Sequence, residues 1–288
     1  MENKKTESFK ISEIDELKLI YFEILNGSSF CHEKQLYIKH FTEKENYLIL
    51  KKRIELWDYY TKEGVPHDSE LLKNAIENGE WSEEKENKIL EYKYIISDNE
   101  KNIHNIIVQQ RAPILKAIQD TKNKLSEFIY ERKQVLGRSI EDLVDQDVND
   151  YISYVSYFRD EKCQESAFKS YEEFEKIDFN EILKYNKSLS IHHDKISEEK
   201  IKKIATMPFF LNKLSYAKDQ LNAFLGIPLN ELSHNQIGLF SIGIRNLNTL
   251  SNAEGNPPDL SLGANPDQLV HWYDIQHSIL VGKRNQAK

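Results

Sequence analysis

The stretch Ser82–Leu136, SEEKENKILEYKYIISDNEKNIHNIIVQQRAPILKAIQDTKNKLSEFIYERKQVL, decides the fold. Ser82 followed by Glu83 and Glu84 marks a helix start. The hydroxyl caps free backbone N–H groups, and the acids sit where the helix dipole is positive. Further in, Ile96, Ile107, Ile118 and Ile129 recur every 11 residues, and so do Ile103, Ile114, Leu125 and Leu136. A third series, Ile95, Ile106, Ala117 and Phe128, flanks them, while the polar series Asn99, Gln110, Thr121 and Arg132 is expected on another face. A period of 11 corresponds to about 3.67 residues per turn, so such a stripe runs almost straight along a helix. Unbroken, the helix would be roughly 80 Å long at about 1.5 Å per residue.

Pro113 lies inside this stretch. Proline removes a helical hydrogen bond and biases the preceding residue away from helix, so two readings stand. The segment is either a helical hairpin reversing near Gln110 to Pro113 or a rod kinked there. Continuity of the repeat favours the rod. The matched length of the two arms favours the hairpin, whose stripes bury each other, and tertiary packing supplies most helical stability. The hairpin is the preferred reading.

The rest of the chain reads as helices separated by punctuation. Phe9 to Leu25 carries a helical apolar face that ends at Asn26-Gly27. Gln35 to Phe41 fits a short strand or an extended link. Thr42 with Glu45 is a capping box opening a helix whose apolar face is Leu48, Leu50, Ile54, Trp57 and Tyr60. A short helix follows around Glu70 to Glu77. Ser139 with Asp142 opens another, and 161–190 is a more broken helical region. Ser188 to Ile196 reads as a link. Further helices start at Ser197, at Pro208, at Ser233 with its Gln236, and at Asn265-Pro266 with Gln268. The expected fold is all-α, a multi-helix bundle with a long central hairpin or kinked rod at 82–136. The expected organisation is an N-terminal helical region (1–81), the hairpin and following helices (82–190), and a C-terminal helical subdomain (191–288).

Composition limits the function. Apolar residues make up 39% and charged residues 30%, which suits a folded helical chain with a well-solvated surface. The formal charge of −8 gives no general attraction to nucleic acid or anionic lipid, so neither partner is expected. No apolar run reaches the length of a membrane span, and the polar N-terminus has no secretion-signal core. The two cysteines, Cys31 and Cys163, are expected to be reduced thiols. Basic residues are mostly Lys, so bidentate recognition is a minor theme.

Chemistry-bearing motifs are absent. There is no phosphate-cradling Gly-rich loop, no Gly-x-Ser-x-Gly, no His-Glu-x-x-His and no EF-hand register among Asp142, Asp145, Asp147 and Asp150. His192-His193-Asp194 is the most metal-like local group, but adjacent residues on an extended link point oppositely. Cys31-His32-Glu33 lacks the second pair that a zinc site needs. No Arg has His five positions on, which removes one helical ribonuclease pattern. No catalytic residue, metal or cofactor is therefore expected. Trp81 reads as a hydrophobic staple at a helix start or as a partner-facing aromatic. Trp272 and Tyr273 read as docking either on the body or on another chain. The candidate partner-binding residues are Trp81, Ile96, Ile107, Ile118, Ile129, Trp272 and Tyr273.

Several stretches taken together carry a resemblance. They are Leu36-Tyr37-Ile38-Lys39-His40-Phe41-Thr42, Gly64-Val65-Pro66 before Glu70-Leu71-Leu72, and Asn78-Gly79-Glu80-Trp81-Ser82-Glu83. Ile196-Ser197 with Lys200-Ile201, Phe209-Phe210-Leu211-Asn212, Phe224-Leu225-Gly226-Ile227-Pro228 leading to Leu232-Ser233-His234-Asn235-Gln236, and Leu269-Val270-His271-Trp272 complete the set. Their order and spacing resemble an uncharacterised all-helical protein family of large tailed bacteriophages. The Gly-x-Pro, Leu-Ser-x-x-Gln passage is also similar to phage tail-assembly chaperones. The resemblance implies a virion structural or assembly protein that binds other phage structural proteins or copies of itself, in the host cytoplasm or within the virion. A regulatory helical binder of a host protein or nucleic acid is the alternative, and a helical enzyme the third reading.

Overall fold

A computed structural model describes residues 11–103, 108–217 and 225–286. The elements run α1 (Glu13–Asn26), β1 (Ser28–Cys31), β2 (Leu36–Lys39), α2 (Glu43–Lys62), α3 (Asp68–Glu77), α4 (Glu83–Asn102), α5 (Val108–Leu136) and α6 (Ile140–Ser156). They continue with β3 (Tyr157–Phe158), α7 (Tyr171–Glu175), α8 (Phe179–Lys195), α9 (Glu198–Ile204), α10 (Pro208–Ala217), α11 (His234–Asn252) and α12 (Pro266–Gln286). The protein is mostly helical (74%), with a small three-stranded antiparallel sheet ordered β1-β2-β3. By contact the chain forms two compact units. One is Lys51–Val148; the other joins the residues up to Leu50 with those from Asn149 on.

In the unit Lys51–Val148, α4 and α5 form an antiparallel hairpin. Lys85 pairs with Glu131, the Tyr92 and Phe128 rings meet at 5.8 Å, and Lys122 Nζ lies 2.8 Å from Glu100. The arms α4, ending at Asn102, and α5, starting at Val108, therefore run in opposite directions; residues 104–107, Ile106 and Ile107 among them, lie outside the described residues. The chain does not reverse at Gln110 to Pro113. Pro113 lies inside α5, in its second turn, where one carbonyl loses its helical partner.

The packing period also differs from the expected one. Beside Glu86, Lys88 and Ile95, the hidden or half-hidden positions of α4 include the series Lys85, Ile89, Tyr92, Ile96 and Asn99, and beside Arg111, Ile129 and Leu136 those of α5 include the series Ile114, Ile118, Thr121, Leu125, Phe128, Arg132 and Val135. Their steps alternate four and three, the 3.5-residue period of two helices that supercoil left-handedly. The 11-residue recurrence is a coincidence of two heptad arms, not one continuous stripe. It also misplaced the polar series, because Asn99, Thr121 and Arg132 lie on the seam. Arg132 donates two bonds to the Asp68 carboxylate at 2.7 and 2.8 Å and a third to Glu86 at 2.9 Å. Trp81 Nε1–H donates to the same Glu86 oxygen at 3.1 Å. The Trp81 ring is buried with Ala75, Ile89 and Leu136, so it staples the start of α4.

The other unit holds two apolar clusters. One gathers Leu17, Ile20, Tyr21 and Ile24 of α1 with Phe210, Leu211 and Leu214 of α10, Leu239 of α11, and Leu269 and Tyr273 of α12. The second joins Cys31 and Ile38 of the sheet to Tyr157, Phe168, Phe174, Ile182 and Leu189. The β2 strand realises one of the two readings of 35–41, with Ile38 opposite Tyr157 of β3. The proposed link Ser188 to Ile196 is instead the last part of α8, up to Lys195. Its buried face runs through Ile182, Ser188, Leu189 and Ile196, and the polar Ser and His residues disguise it in the sequence.

The end signals read from the sequence form as bonds. Ser82, Ser197 and Ser233 each accept from the backbone N–H three residues on. Gln236 and Gln268 return the bond to Ser233 and Asn265 at 2.9 and 3.0 Å. Gly27 closes α1 with φ +71°, a left-handed conformation that side chains disfavour. The expected face of α2 is corrected in part. Leu48, Trp57 and Tyr60 are half-buried, whereas Leu50 and Ile54 turn outward.

Gly243 marks a close helix approach. A Cβ there would lie 2.6 Å from both the Phe210 ring and Leu214. Gly243→Ala gains helix propensity of about 1 kcal/mol but overpacks the core at a cost of about 1–3 kcal/mol. We expect a lower urea midpoint with an unchanged slope; a midpoint equal to or above the parent's would mean that α10 and α11 are not this close.

Candidate functional site

A cavity of about 280 Å³ lies in the discontinuous unit, between β2, the start of α2, the end of α8 and the start of α11. Four imidazoles line it, those of His40, His192, His193 and His234, together with Ser29, Ile38, Phe41, Asn46, Ile196 and Asn235. The sequence brings them together by simple means. His40 follows the last residue of β2, and its N–H donates to the Gly27 carbonyl at 2.8 Å. The helical pitch of α8 sets His192 four residues after Ser188, whose carbonyl is 2.9 Å from His192 Nδ1. His234 is the first residue of α11, and its N–H donates to the Phe41 carbonyl at 3.1 Å.

Electrostatics define the floor of the cavity. Ser29 Oγ lies 2.9 Å from Glu23 Oε2 and 2.9 Å from His40 Nε2. A hydroxyl has one proton, and the carboxylate can only accept it. His40 Nε2–H must then donate to Ser29, which leaves Nδ1 as a bare acceptor. That nitrogen is buried without a hydrogen-bond partner among the described residues, and the residue as a whole is only 7% exposed. The nearby cations are neutralised. Lys195 pairs with Glu23, and Lys39 Nζ donates to Glu45 at 2.6 Å. Burial alone would raise the Glu45 pKa, but the bonds from Lys39 and Thr42 hold it below the ordinary carboxylate value. Burial is also the main force on His40, and the positive charge available at His193, His192 and Lys195 adds to it. Together they push its pKa down from 6.5 to about 4.

The residues singled out from the sequence are placed as follows. Trp81, Ile96, Ile118 and Tyr273 are buried, Ile129 and Trp272 are half-buried, and Ile107 lies outside the described residues. The hairpin stripe is thus covered by its own partner arm, and Trp272 and Tyr273 dock on the cluster formed by α1, α10 and α11. What remains outside is a different set. Leu90 and Tyr94, one helical turn apart on α4, are 56% and 70% exposed, and Leu115 and Tyr130 of α5 are also exposed. On α12, Ile275 and Ile279 are exposed beyond Trp272 at the spacing of one helix face.

Cys31 is buried, with Sγ 3.0 Å from Ser188 Oγ, which leaves Cys31-His32-Glu33 without a shared ligand geometry. Asp142, Asp145, Asp147 and Asp150 do not converge; Asp145 pairs with Arg53, Asp142 with Lys133 and Asp150 with Asn186. Among the described residues, no group of three or more His, Cys, Asp or Glu side chains is arranged to hold a metal ion. Sequence reading met His192 and His193 only as neighbours of each other and passed over His40 and His234. Four histidines on three distant segments give no local spacing signal.

No family model matches this chain, and neither the curated proteins nor the solved structures yield a match. Among the described residues, no helix is long and apolar enough to cross a membrane.

The His40 environment has a consequence for acid stability. A folded pKa of about 4 against an ordinary 6.5 means that the unfolded chain takes up the proton first. Stability from this residue is full above pH 6.5 and is lost as pH falls toward 4. The loss is roughly 2–4 kcal/mol by linkage. His40→Gln should flatten the stability profile across that window relative to the parent, as read by urea titrations at several pH values. Parallel profiles for parent and variant would contradict the assigned environment.

Proposed function

We propose that this chain is a virion structural or assembly protein of a tailed bacteriophage, acting by binding other phage proteins. The sequence resemblance supplies the phage context. The observation that carries the binding role is the exposed pair Leu90 and Tyr94 on the outer side of the hairpin. Residues four apart on a helix are surface neighbours, and an amphipathic partner helix or groove reads such anchors. The hairpin suits the task physically. Its seam stabilises it internally, so the outer face can be given to a partner without unfolding the arms.

The test is affinity capture from infected cells with the parent chain and with a Leu90→Glu, Tyr94→Glu double variant, followed by mass spectrometry. The parent should retain phage structural proteins, and the double variant should lose them at unchanged helicity. Mass spectrometry of purified virions then separates component from chaperone, since a chaperone is absent from the finished particle. Capture of no phage protein by the parent would refute the proposal.

A further inference from the structure

We propose that a second copy of this chain packs on the outer face of α2, with the two α2 helices antiparallel. This surface is separate from Leu90 and Tyr94, and the inference goes beyond the binding role assigned to them.

α2 is a 20-residue helix with apolar residues on two sides. Leu48, Ile49, Leu56 and Tyr60 are half-buried on its inner side. Tyr47, Leu50 and Ile54, on the outer side, are 64%, 56% and 56% exposed. Only Glu45 of the whole helix is fully buried. A helix that is apolar all round is ordinarily covered all round, because packing supplies most helical stability. The outer residues step by three and then by four, and the half-buried Trp57 continues the step. That spacing is the seam of two helices packed knobs-into-holes, not a scatter of surface apolar residues.

Charge selects the occupant. Lys44, Asp58 and Lys62 are exposed and make no ion pair among the described residues. In an antiparallel pair whose two-fold axis lies midway between Leu50 and Ile54, Leu50 of each copy meets Ile54 of the other. The same register sets Lys44 opposite Asp58, and Glu43 of the first turn opposite Lys62 of the last, at both ends of the seam. Along one helix Lys44 and Asp58 are about 21 Å apart at about 1.5 Å per residue, so they cannot meet within one α2. A parallel pair would bring like charges to the same level. The basic residues at the middle of the seam are already neutralised. Arg53 Nη1 donates to Asp145 at 2.6 Å, and Lys51 Nζ lies 3.8 Å from Glu55. Three apolar residues from each copy make a small interface, in the range of weak, reversible association. A face that closes on itself under a two-fold gives a dimer rather than a filament.

The test is sedimentation equilibrium of the full chain over a series reaching about 200 μM, a range suited to such small interfaces. The parent should pass from monomer to dimer. Leu50→Glu with Ile54→Glu changes only exposed positions and should stay monomeric at unchanged circular dichroism. Lys44→Glu and Asp58→Lys should each weaken the dimer by roughly tenfold, since two symmetry-related surface pairs turn from attraction to repulsion. Their combination rebuilds the pair in reverse and should recover most of the parent affinity. The Leu90→Glu, Tyr94→Glu variant should dimerise as the parent does, so either surface can fail without the other. The proposal is overturned by a parent that stays monomeric, including one that instead holds a phage protein through this stripe. It is equally overturned by a dimer that persists in the Leu50→Glu, Ile54→Glu variant, or by no recovery in the Lys44→Glu, Asp58→Lys chain.

Discussion

The seam between α4 and α5 is the constraint on which the unit Lys51–Val148 depends. Each arm alone is a long, highly charged helix with a narrow apolar stripe. Such a helix is marginal in water unless the stripe is covered. Folding back on itself covers Ile89 and Ile96 with Ile118, Leu125 and Phe128. The hairpin also sets Arg132 of α5 beside Glu86 of α4 and the bidentate carboxylate of Asp68. A planar guanidinium in that position has direction as well as charge, and a Lys could not reproduce it. Register follows from it, because a slip of one heptad would leave Arg132 half-buried without its acids. Trp81 strengthens the same point by donating to Glu86 while its ring closes the apolar cluster at the base.

The discontinuous unit is governed by a different balance. Its apolar clusters are formed by short helices, and its buried polar groups are nearly all bonded. Asn246 donates to the Ala205 carbonyl, Gln236 to that of Leu25, and Tyr157 to that of Tyr185. Against that background His40 Nδ1 is the exception among the described side chains.

What the sequence made legible follows from the range of the interactions. Caps are local, spanning three residues, and so Thr42–Glu45, Ser82, Ser233–Gln236 and Asn265–Gln268 were readable and formed. Helical content was equally plain from the scarcity of turn residues. The hairpin was a sound choice because two arms of matched length can bury each other. Its turning point was misplaced because Pro113 looks like a break, yet α5 runs on through it near its start, at the loss of one helical hydrogen bond and a steric cost to the preceding turn. The 11-residue recurrence misled because two heptad stripes running in opposite directions can imitate it. The end of α8 was hidden because its buried positions include Ser188 and its last turn carries two His. The cavity was not legible at all. Its walls come from β2, α2, α8 and α11, and only the chain path brings them together.

The central claim is that α4 and α5 are antiparallel partners within one chain, and a single distance tests it most directly. Spin labels at the exposed positions Glu91 and Glu127, in a chain whose two cysteines are replaced by Ser, sit on opposite arms. Packed helices with axes about 8–10 Å apart place the labels roughly 15–25 Å from each other. A continuous rod would separate the same positions by about 54 Å at about 1.5 Å per residue. A narrow short-distance peak in dilute, monomeric protein is the predicted result, and a distribution centred near the long distance would contradict the account.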